Sequence, residues 1–135
     1  PSNVAKMAAG IPLDDADRRP FLAGVAAALV AGREHGVVVT CSALKRSYRD
    51  YLRNAAGDIA FVLPTLGRET LAARLAERTE HYMPASLLDS QLATFEPPAN
   101  DEHIIAVNGS APTAVQLARV RAALAATPNA TREAK

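Results

Sequence analysis

The sequence has 135 residues, enough for one domain with a buried core. Its 15 lysines and arginines nearly balance its 14 aspartates and glutamates, so no strong field for binding nucleic acid is implied. The longest apolar run is too short to span a bilayer, no signal peptide is visible, and the single cysteine excludes a disulfide framework. We therefore expect a cytoplasmic protein with no membrane partner.

Two helices are predicted in the first quarter of the chain. Residues 1–10 have an apolar side and end at Gly10, a typical helix stop. The acidic residues at positions 14, 15 and 17 favour the start of a second helix, because negative charge stabilises a helix N-terminus. This helix continues to Arg33, and we expect it to restart or bend at Pro20, which removes one helical hydrogen bond.

The chain is organised around residues 36–53. Val37–Val39 is a β-branched run, typical of a strand buried on both faces. Small residues follow, and then a helix with basic residues at positions 45, 46, 49 and 53. Ligands of open α/β sheets bind beyond the carboxyl ends of the strands, so this layout suggests a site. The alternative is a solvated basic helix face.

The rest of the chain alternates between strand and helix patterns. Strands are predicted at 59–63 and 104–107, and helices at 68–79, 84–91 and 113–126, followed by a frayed end at 127–135. Such alternation predicts an α/β fold with a parallel sheet and flanking helices. Three strands make a thin sheet for this class.

Four segments together resemble the gluconokinase family of small sugar-acid kinases, relatives of shikimate kinase. They are SNVAKMAAGIPLDDADRRPFL (2–22), CSALKRSYRDYLR (41–53), RLAERTEHYMPASLLDSQLATFEPP (74–98) and IIAVNGSAP (104–112). The family writes the first three as NxxKMxxGxPLxDxDRxPWL, CSALKxxYRDxLR and GHFMxxxLLxSQxxxLEEP. This chain departs at four positions, namely Phe21 for Trp, Glu80 for Gly, Tyr82 for Phe and Asn108 for Asp.

The resemblance implies a P-loop kinase fold of the nucleoside monophosphate kinase type. The family begins with a strand and a glycine-rich phosphate-binding loop ending in Gly-Lys-Ser/Thr, and the 135 residues contain no such loop. We therefore expect residues 1–135 to be a single α/β kinase domain that lacks the N-terminal strand-loop-helix-strand unit. Residues 74–98 would form the lid within it.

The resemblance also assigns the acceptor side of a site. Arg18 would grip the carboxylate of a sugar acid, because a guanidinium binds carboxylates bidentately; the alternative is a surface ion pair with Asp14 or Asp15. Lys45 and Arg49 would act catalytically on the acceptor sugar or the transferred phosphate. Ser42 shares their spacing of three and four, which places the three side chains on one helical face. Gln91 could donate to a sugar hydroxyl.

On the nucleotide side, the resemblance places Arg74, Arg78 and His81 on the lid and Asn108 beside the adenine. Glu77 and Glu80 could instead neutralise the lid arginines, and His81 could be an ordinary surface residue. The three histidines show no metal-ligand spacing. The resemblance implies that magnesium arrives with ATP, as it does in this class of kinases.

The function implied is ATP-dependent phosphorylation of a sugar acid such as D-gluconate to 6-phosphogluconate, by a protein that could be a homodimer. The chain as written would be inactive alone, since it lacks the phosphate-binding loop. One alternative is a non-catalytic remnant of the family that binds a sugar acid or another subunit. Another is a nucleic-acid-binding fragment using residues 45–53, which the balanced charge and few aromatic residues disfavour.

Overall fold

A computed structural model describes residues 2–78 and 85–126 of the chain. The chain divides into two compact units, the first made of residues 1–57 and 72–97 and the second of residues 58–71 and 98–135. His81 and residues 127–135 lie outside the described residues, as does the first residue of the helix predicted at 84–91.

The helices are α1 Ser2–Ala8, α2 Asp15–Ala31, α3 Arg46–Ala56, α4 Arg68–Glu77, α5 Leu88–Thr94 and α6 Thr113–Ala126. The strands are β1 Val62–Thr65 and β2 Ile105–Asn108, and short 3-10 turns lie at Ala85–Leu87 and Asn100–Glu102. All the predicted helices are present among these residues, with α6 at its predicted bounds and α5 starting later than predicted. None of the described helices is long and apolar enough to cross a membrane.

The first unit is built on the packing of α2 against α3. The buried apolar side chains are Leu22, Val25 and Ala26 from α2 and Tyr48, Leu52 and Ala56 from α3. Burying an aliphatic side chain of this size stabilises the fold by about 1.5–3 kcal/mol. The helix does not restart at Pro20, since α2 runs unbroken from Asp15 to Ala31 with Pro20 on its exposed side.

The predicted buried strand at Val37–Val39 is wrong for this structure. Val38 is 94% exposed, and residues 37–40 join no sheet in the part of the chain that the structure describes. A β-branched run favours an extended backbone, but a strand also needs a neighbour for its N–H and C=O groups. Val37 instead folds back over Gly32, where an added Cβ would lie 2.5 Å from the Val37 Cβ.

The second unit contains a parallel strand pair covered by a helix. β1 and β2 pair in the register Val62↔Ile105 to Thr65↔Asn108, and α6 packs against β2. The strands predicted at 59–63 and 104–107 are thus confirmed as strands, β1 beginning three residues later and including Pro64. The parallel pairing and the flanking helices confirm the predicted α/β class.

Candidate functional site

The start of α2 is fixed by a set of polar contacts within the first unit. The Asp14 side chain accepts a hydrogen bond from the Asp17 backbone N–H at 2.8 Å, and Asp17 accepts from the Asp14 N–H at 3.1 Å, which forms a capping box. From α1, Asn3 donates to the Asp17 carbonyl at 2.7 Å, and Lys6 pairs with the Asp17 carboxylate at 2.6 Å. These contacts hold the first turn of α2, which carries Asp15 and Arg18.

Arg18 is buried in this arrangement, with 8% of its surface exposed. Its guanidinium lies 5.7 Å from the centre of the Tyr48 ring, within cation–π distance. The Arg18 Nε is buried and finds no hydrogen-bond acceptor among the described residues. A buried charged donor without an acceptor is costly, so this guanidinium is suited to receive an anionic ligand.

Lys45 and Asp15 complete a cluster around Tyr48. The Lys45 Nζ lies 5.7 Å from the centre of the Tyr48 ring and 3.0 Å from Asp15 Oδ1. The Tyr48 hydroxyl donates to the same Asp15 oxygen. We refer to Asp15, Arg18, Lys45 and Tyr48 as the Tyr48 cluster.

The charges of the Tyr48 cluster stabilise one another. The hydrogen bonds from Tyr48 and then Lys45 hold the pKa of Asp15 below its ordinary value, and the bond to Asp15 raises the pKa of Lys45. The pKa of Tyr48 is raised by burial and then by its bond to Asp15. At neutral pH the cluster therefore combines a carboxylate, two cations and a neutral phenol.

Cys41 lies near Arg18, and the positive charge of Arg18 acts on its thiol. Burial raises the pKa of the Cys41 thiol, and the positive charge of Arg18 only partly opposes this. The group is therefore a thiol at neutral pH, which makes it a poor nucleophile.

Arg49 has a different environment, although it follows Tyr48 directly. Its side chain is buried and donates to three backbone carbonyls, Ala43 O at 3.0 Å, Leu44 O at 3.1 Å and Glu96 O at 3.1 Å. Glu96 in turn donates from its N–H to Leu44 O at 2.8 Å and accepts at its side chain from the Arg46 N–H at 3.0 Å. Arg49 thus joins the segment before α3 to the segment after α5.

This geometry corrects the expectation that residues 42, 45 and 49 share one helical face. α3 begins at Arg46 and Lys45 is its N-cap, so Ser42 lies outside the helix, where it is exposed. The Leu44 N–H bonds to Ser42 O at 3.0 Å, which closes a tight turn just before the helix. The structure therefore joins Lys45 with Arg18 through Tyr48 and gives Arg49 backbone partners.

Known proteins resemble the chain in both sequence and structure, although no family model matches it. It is 52% identical over 113 residues to a gluconokinase of Gluconobacter oxydans (strain 621H), a match that covers 81% of this chain and 62% of that protein. A gluconokinase crystal structure from Sinorhizobium meliloti 1021 matches at 45% identity with a TM-score of 0.75, over 93% of this chain and 71% of that one. An unliganded sugar kinase from Janibacter sp. HTCC2649 matches at 41% identity with a TM-score of 0.82, over 95% and 75% of the two chains.

The chain belongs to the gluconokinase family. This confirms the resemblance drawn from the four sequence segments, and the two matched kinase structures confirm the α/β class. The chain spans 62% of the length of the Gluconobacter relative.

The remaining residues that the gluconokinase resemblance assigned lie on several elements. Gln91 is half-buried on α5, whereas Arg74 on α4 and Arg78 just after it are exposed. His81 lies outside the described residues. Asn108 ends β2 in the second unit, where its side chain accepts from the Ser110 N–H at 2.9 Å.

The predicted gluconokinase lid at 74–98 includes a buried part. Leu87 and Leu88 are 4% and 7% exposed, so they belong to the core of the first unit. In the described ranges, 2–78 and 85–126, no group of three or more His, Cys, Asp or Glu side chains could hold a metal ion. The lid remains a prediction.

Sequence reasoning missed Tyr48, the residue at the centre of the cluster. A buried tyrosine in an α-helix is usually a packing residue, and the apolar pattern of α3 does not separate Tyr48 from that role. One signal was available, since Lys45 and Tyr48 are three residues apart and both stand in the CSALKxxYRDxLR segment. Asp15 was considered as a partner of Arg18, but its hydrogen-bond partners are Lys45 and Tyr48.

Proposed function

We propose that the protein containing this chain is a gluconokinase-type phosphotransferase, which transfers the γ-phosphoryl group of ATP to the terminal hydroxyl of D-gluconate or a similar sugar acid. The observation that carries this proposal is the identity of up to 52% with proteins named gluconokinase. The buried Arg18 guanidinium, whose Nε has no acceptor among the described residues, supports it independently as a site for a carboxylate.

In this proposal, Arg18 binds the carboxylate of the sugar acid. A carboxylate has two oxygens that can accept from two parallel N–H donors on one edge of a guanidinium, and a buried guanidinium loses less to competition with water. The ring of Tyr48 keeps the guanidinium in place before the ligand arrives, so little ordering is needed on binding. Ser42 and Gln91 would donate to hydroxyls of the same ligand.

Lys45 is the proposed cation for the reacting phosphoryl group. Phosphoryl transfer depends mainly on positioning and on stabilising negative charge, and an ammonium group held against Asp15 can supply a fixed positive charge. The contacts of Arg49 support a different contribution, in which it fixes the backbone immediately before Lys45. A direct catalytic role of Arg49 stays a prediction.

ATP enters the proposal as the phosphoryl donor, with Arg74, Arg78 and His81 closing over its phosphates and Asn108 beside its adenine. Magnesium accompanies the nucleotide and neutralises charge on its phosphates. Association into a homodimer stays a prediction, as does the inactivity of residues 1–135 alone.

The test is a coupled assay of ADP release by the whole gene product with ATP and magnesium. D-Gluconate and related sugar acids are the substrates, and D-glucose is the matched control without a carboxylate. We expect turnover with at least one sugar acid and none with glucose, and phosphorus NMR should show a phosphate ester at the terminal carbon. Binding of sugar acids without ADP release would instead support a non-catalytic relative, and equal turnover with glucose would contradict the carboxylate site.

A further inference from the structure

Asp15 and Tyr48 connect the two cations of the cluster. A single oxygen, Asp15 Oδ1, accepts from both the Lys45 ammonium and the Tyr48 hydroxyl, and the Tyr48 ring lies 5.7 Å from both Arg18 and Lys45. We propose that Asp15 and Tyr48 form a positioning pair, which holds Lys45 and Arg18 in the arrangement that receives the sugar acid. The proposal rests on the proposed function.

The burial of the members explains how such a pair would work. Tyr48 is 6% exposed and sits in the interface of α2 and α3, so its ring is a fixed platform. The side chains of Lys45 and Asp15 are 32% and 62% exposed, so they lie at the solvent side of that platform. A lysine side chain has four rotatable bonds, and it needs a fixed acceptor to stay in one conformation.

The charges of Arg18 and Lys45 give a second reason to propose that Asp15 and Tyr48 position them. Arg18 and Lys45 are both cations and both approach one ring, so they repel each other. The Asp15 carboxylate offsets this repulsion, since its pKa is lowered by the hydrogen bonds from Tyr48 and Lys45 and, more weakly, by the charge of Arg18. Loss of Asp15 would leave Lys45 with the weaker attraction of Glu96 and no hydrogen bond to a carboxylate in this cluster, and Lys45 would move toward solvent.

The pair predicts distinct effects for two conservative substitutions. Tyr48→Phe keeps the ring under Arg18 and removes only the hydroxyl that bonds to Asp15, whereas Asp15→Asn keeps the shape and removes the charge. Both variants should lower kcat/KM for the sugar acid about 10-fold, the effect of losing one hydrogen bond to a charged group. The KM for ATP should change less than about 2-fold, and Asp15→Glu should recover part of the loss.

Matched controls are available one turn or one residue away. Asp14→Asn changes a neighbouring carboxylate that caps α2, and asparagine caps a helix as well as aspartate does. Tyr51→Phe removes a hydroxyl from a half-exposed tyrosine on the same helix. Both controls should leave kcat/KM within about 2-fold of the unchanged protein, because neither side chain hydrogen-bonds to a side chain of the Tyr48 cluster in the part of the chain that the structure describes.

A spectroscopic titration separates this proposal from the proposed function. The absorbance difference at high pH between the unchanged protein and Tyr48→Phe isolates the ionisation of Tyr48. Because the bond to Asp15 raises the pKa of Tyr48, Asp15→Asn should shift that ionisation to lower pH. In the Asp15→Asn background, the ionisation of Tyr48 is isolated by the absorbance difference between Asp15→Asn and the double variant Asp15→Asn/Tyr48→Phe.

Each outcome of these experiments supports or contradicts the positioning pair. A shifted Tyr48 ionisation together with lower kcat/KM in both variants supports the positioning pair. Unchanged kinetics in a protein that phosphorylates sugar acids overturns it, and so does an unchanged Tyr48 ionisation. If the unchanged protein phosphorylates no sugar acid, the proposed function fails and the titration alone decides whether Asp15 holds Tyr48. Should Asp15→Asn fold poorly, Tyr48→Phe with its Tyr51→Phe control carries the kinetic test.

Discussion

The guanidinium of Arg18 lies over the ring of Tyr48, with 5.7 Å between the guanidinium carbon and the ring centre. This contact links the first turns of α2 and α3, two segments that are about thirty residues apart in sequence. This contact supplies no acceptor for the buried Nε, which has none among the described residues. A buried arginine with a donor still available is suited to bind a carboxylate.

Arg49 should matter more for stability than its neighbours on α3. Arg49→Ala removes three charge-assisted hydrogen bonds to backbone carbonyls in a buried place, and we expect the free energy of unfolding to fall by about 2–4 kcal/mol. Arg46→Ala is the matched control, because its side chain pairs with Asp50 at the surface, an interaction worth about 0–1 kcal/mol. Urea unfolding followed by circular dichroism measures both.

Equal losses of stability for Arg49→Ala and Arg46→Ala would show that the three carbonyl contacts do not hold the fold. A variant Arg49→Ala that keeps its stability but loses turnover would instead restore the catalytic role expected from the sequence.

Substitution by alanine should have opposite effects on stability at two glycines, Gly109 and Gly24. A Cβ on Gly109 would lie 2.8 Å from Leu66 Cγ and 3.0 Å from Thr65 O, so Gly109→Ala should destabilise the protein by about 1–3 kcal/mol. Gly24 lies within α2 with nothing within 4 Å of an added Cβ, so Gly24→Ala should stabilise it by about 0.5–1 kcal/mol. Thermal melting of the two variants shows the sign of each effect, and a destabilising Gly24→Ala would contradict the prediction for α2.

The contact of Lys6 with Asp17 predicts a dependence of stability on pH. The hydrogen bond from Lys6 lowers the pKa of Asp17, and the same bond raises the pKa of Lys6. The stabilisation through Asp17 is therefore present above the unfolded carboxyl value of about pH 4 and is lost as the pH falls through the lower folded value. The stabilisation through Lys6 is present below about pH 10 and is lost as the pH rises through the higher folded value.

Lys6→Met tests this pH dependence. The variant should be less stable than the unchanged protein between about pH 5 and 9, and the difference should disappear in strong acid as Asp17 becomes protonated. Chemical denaturation at several pH values measures it, with Asp17→Asn and the double variant completing a double-mutant cycle. A difference that stays constant from acid to neutral pH would show that Lys6 acts through packing of α1.

Local signals in the sequence predicted much of the first unit. The acidic residues at positions 14 and 17 form the capping box of α2, and Gly10 has the positive φ of 76° expected of a residue that ends a helix. Both depend on residues close in sequence, which is why they could be predicted. The strand expected at Val37–Val39 failed for the opposite reason, because a strand depends on a neighbour that its own residues do not specify.

The candidate site also depends both on local sequence signals and on contacts between distant parts of the chain. Family resemblance proposed Arg18 and Lys45 as site residues. The spacing of the chain grouped Lys45 with Ser42 and Arg49 on a helical face, whereas α3 begins only at Arg46. Tyr48 was not predicted because its role depends on α2 packing against α3, a contact between distant parts of the chain. Spacing along one helix carries no information about which side chain of another helix will lie across from it.

The proposed binding of the sugar-acid carboxylate by Arg18 is tested most directly by comparing the kinetics of Arg18→Ala and Arg19→Ala. The comparison uses the whole gene product, with D-gluconate and ATP varied separately. Arg19 is the exposed neighbour on the same helix, so it controls for the loss of one positive charge. We predict that Arg18→Ala raises the KM for the sugar acid about 10- to 100-fold with little change in the KM for ATP, and that Arg19→Ala changes both by less than about 2-fold. Equal increases of the two KM values in Arg18→Ala, or an equal effect of Arg19→Ala, would contradict the assignment of Arg18 to the carboxylate.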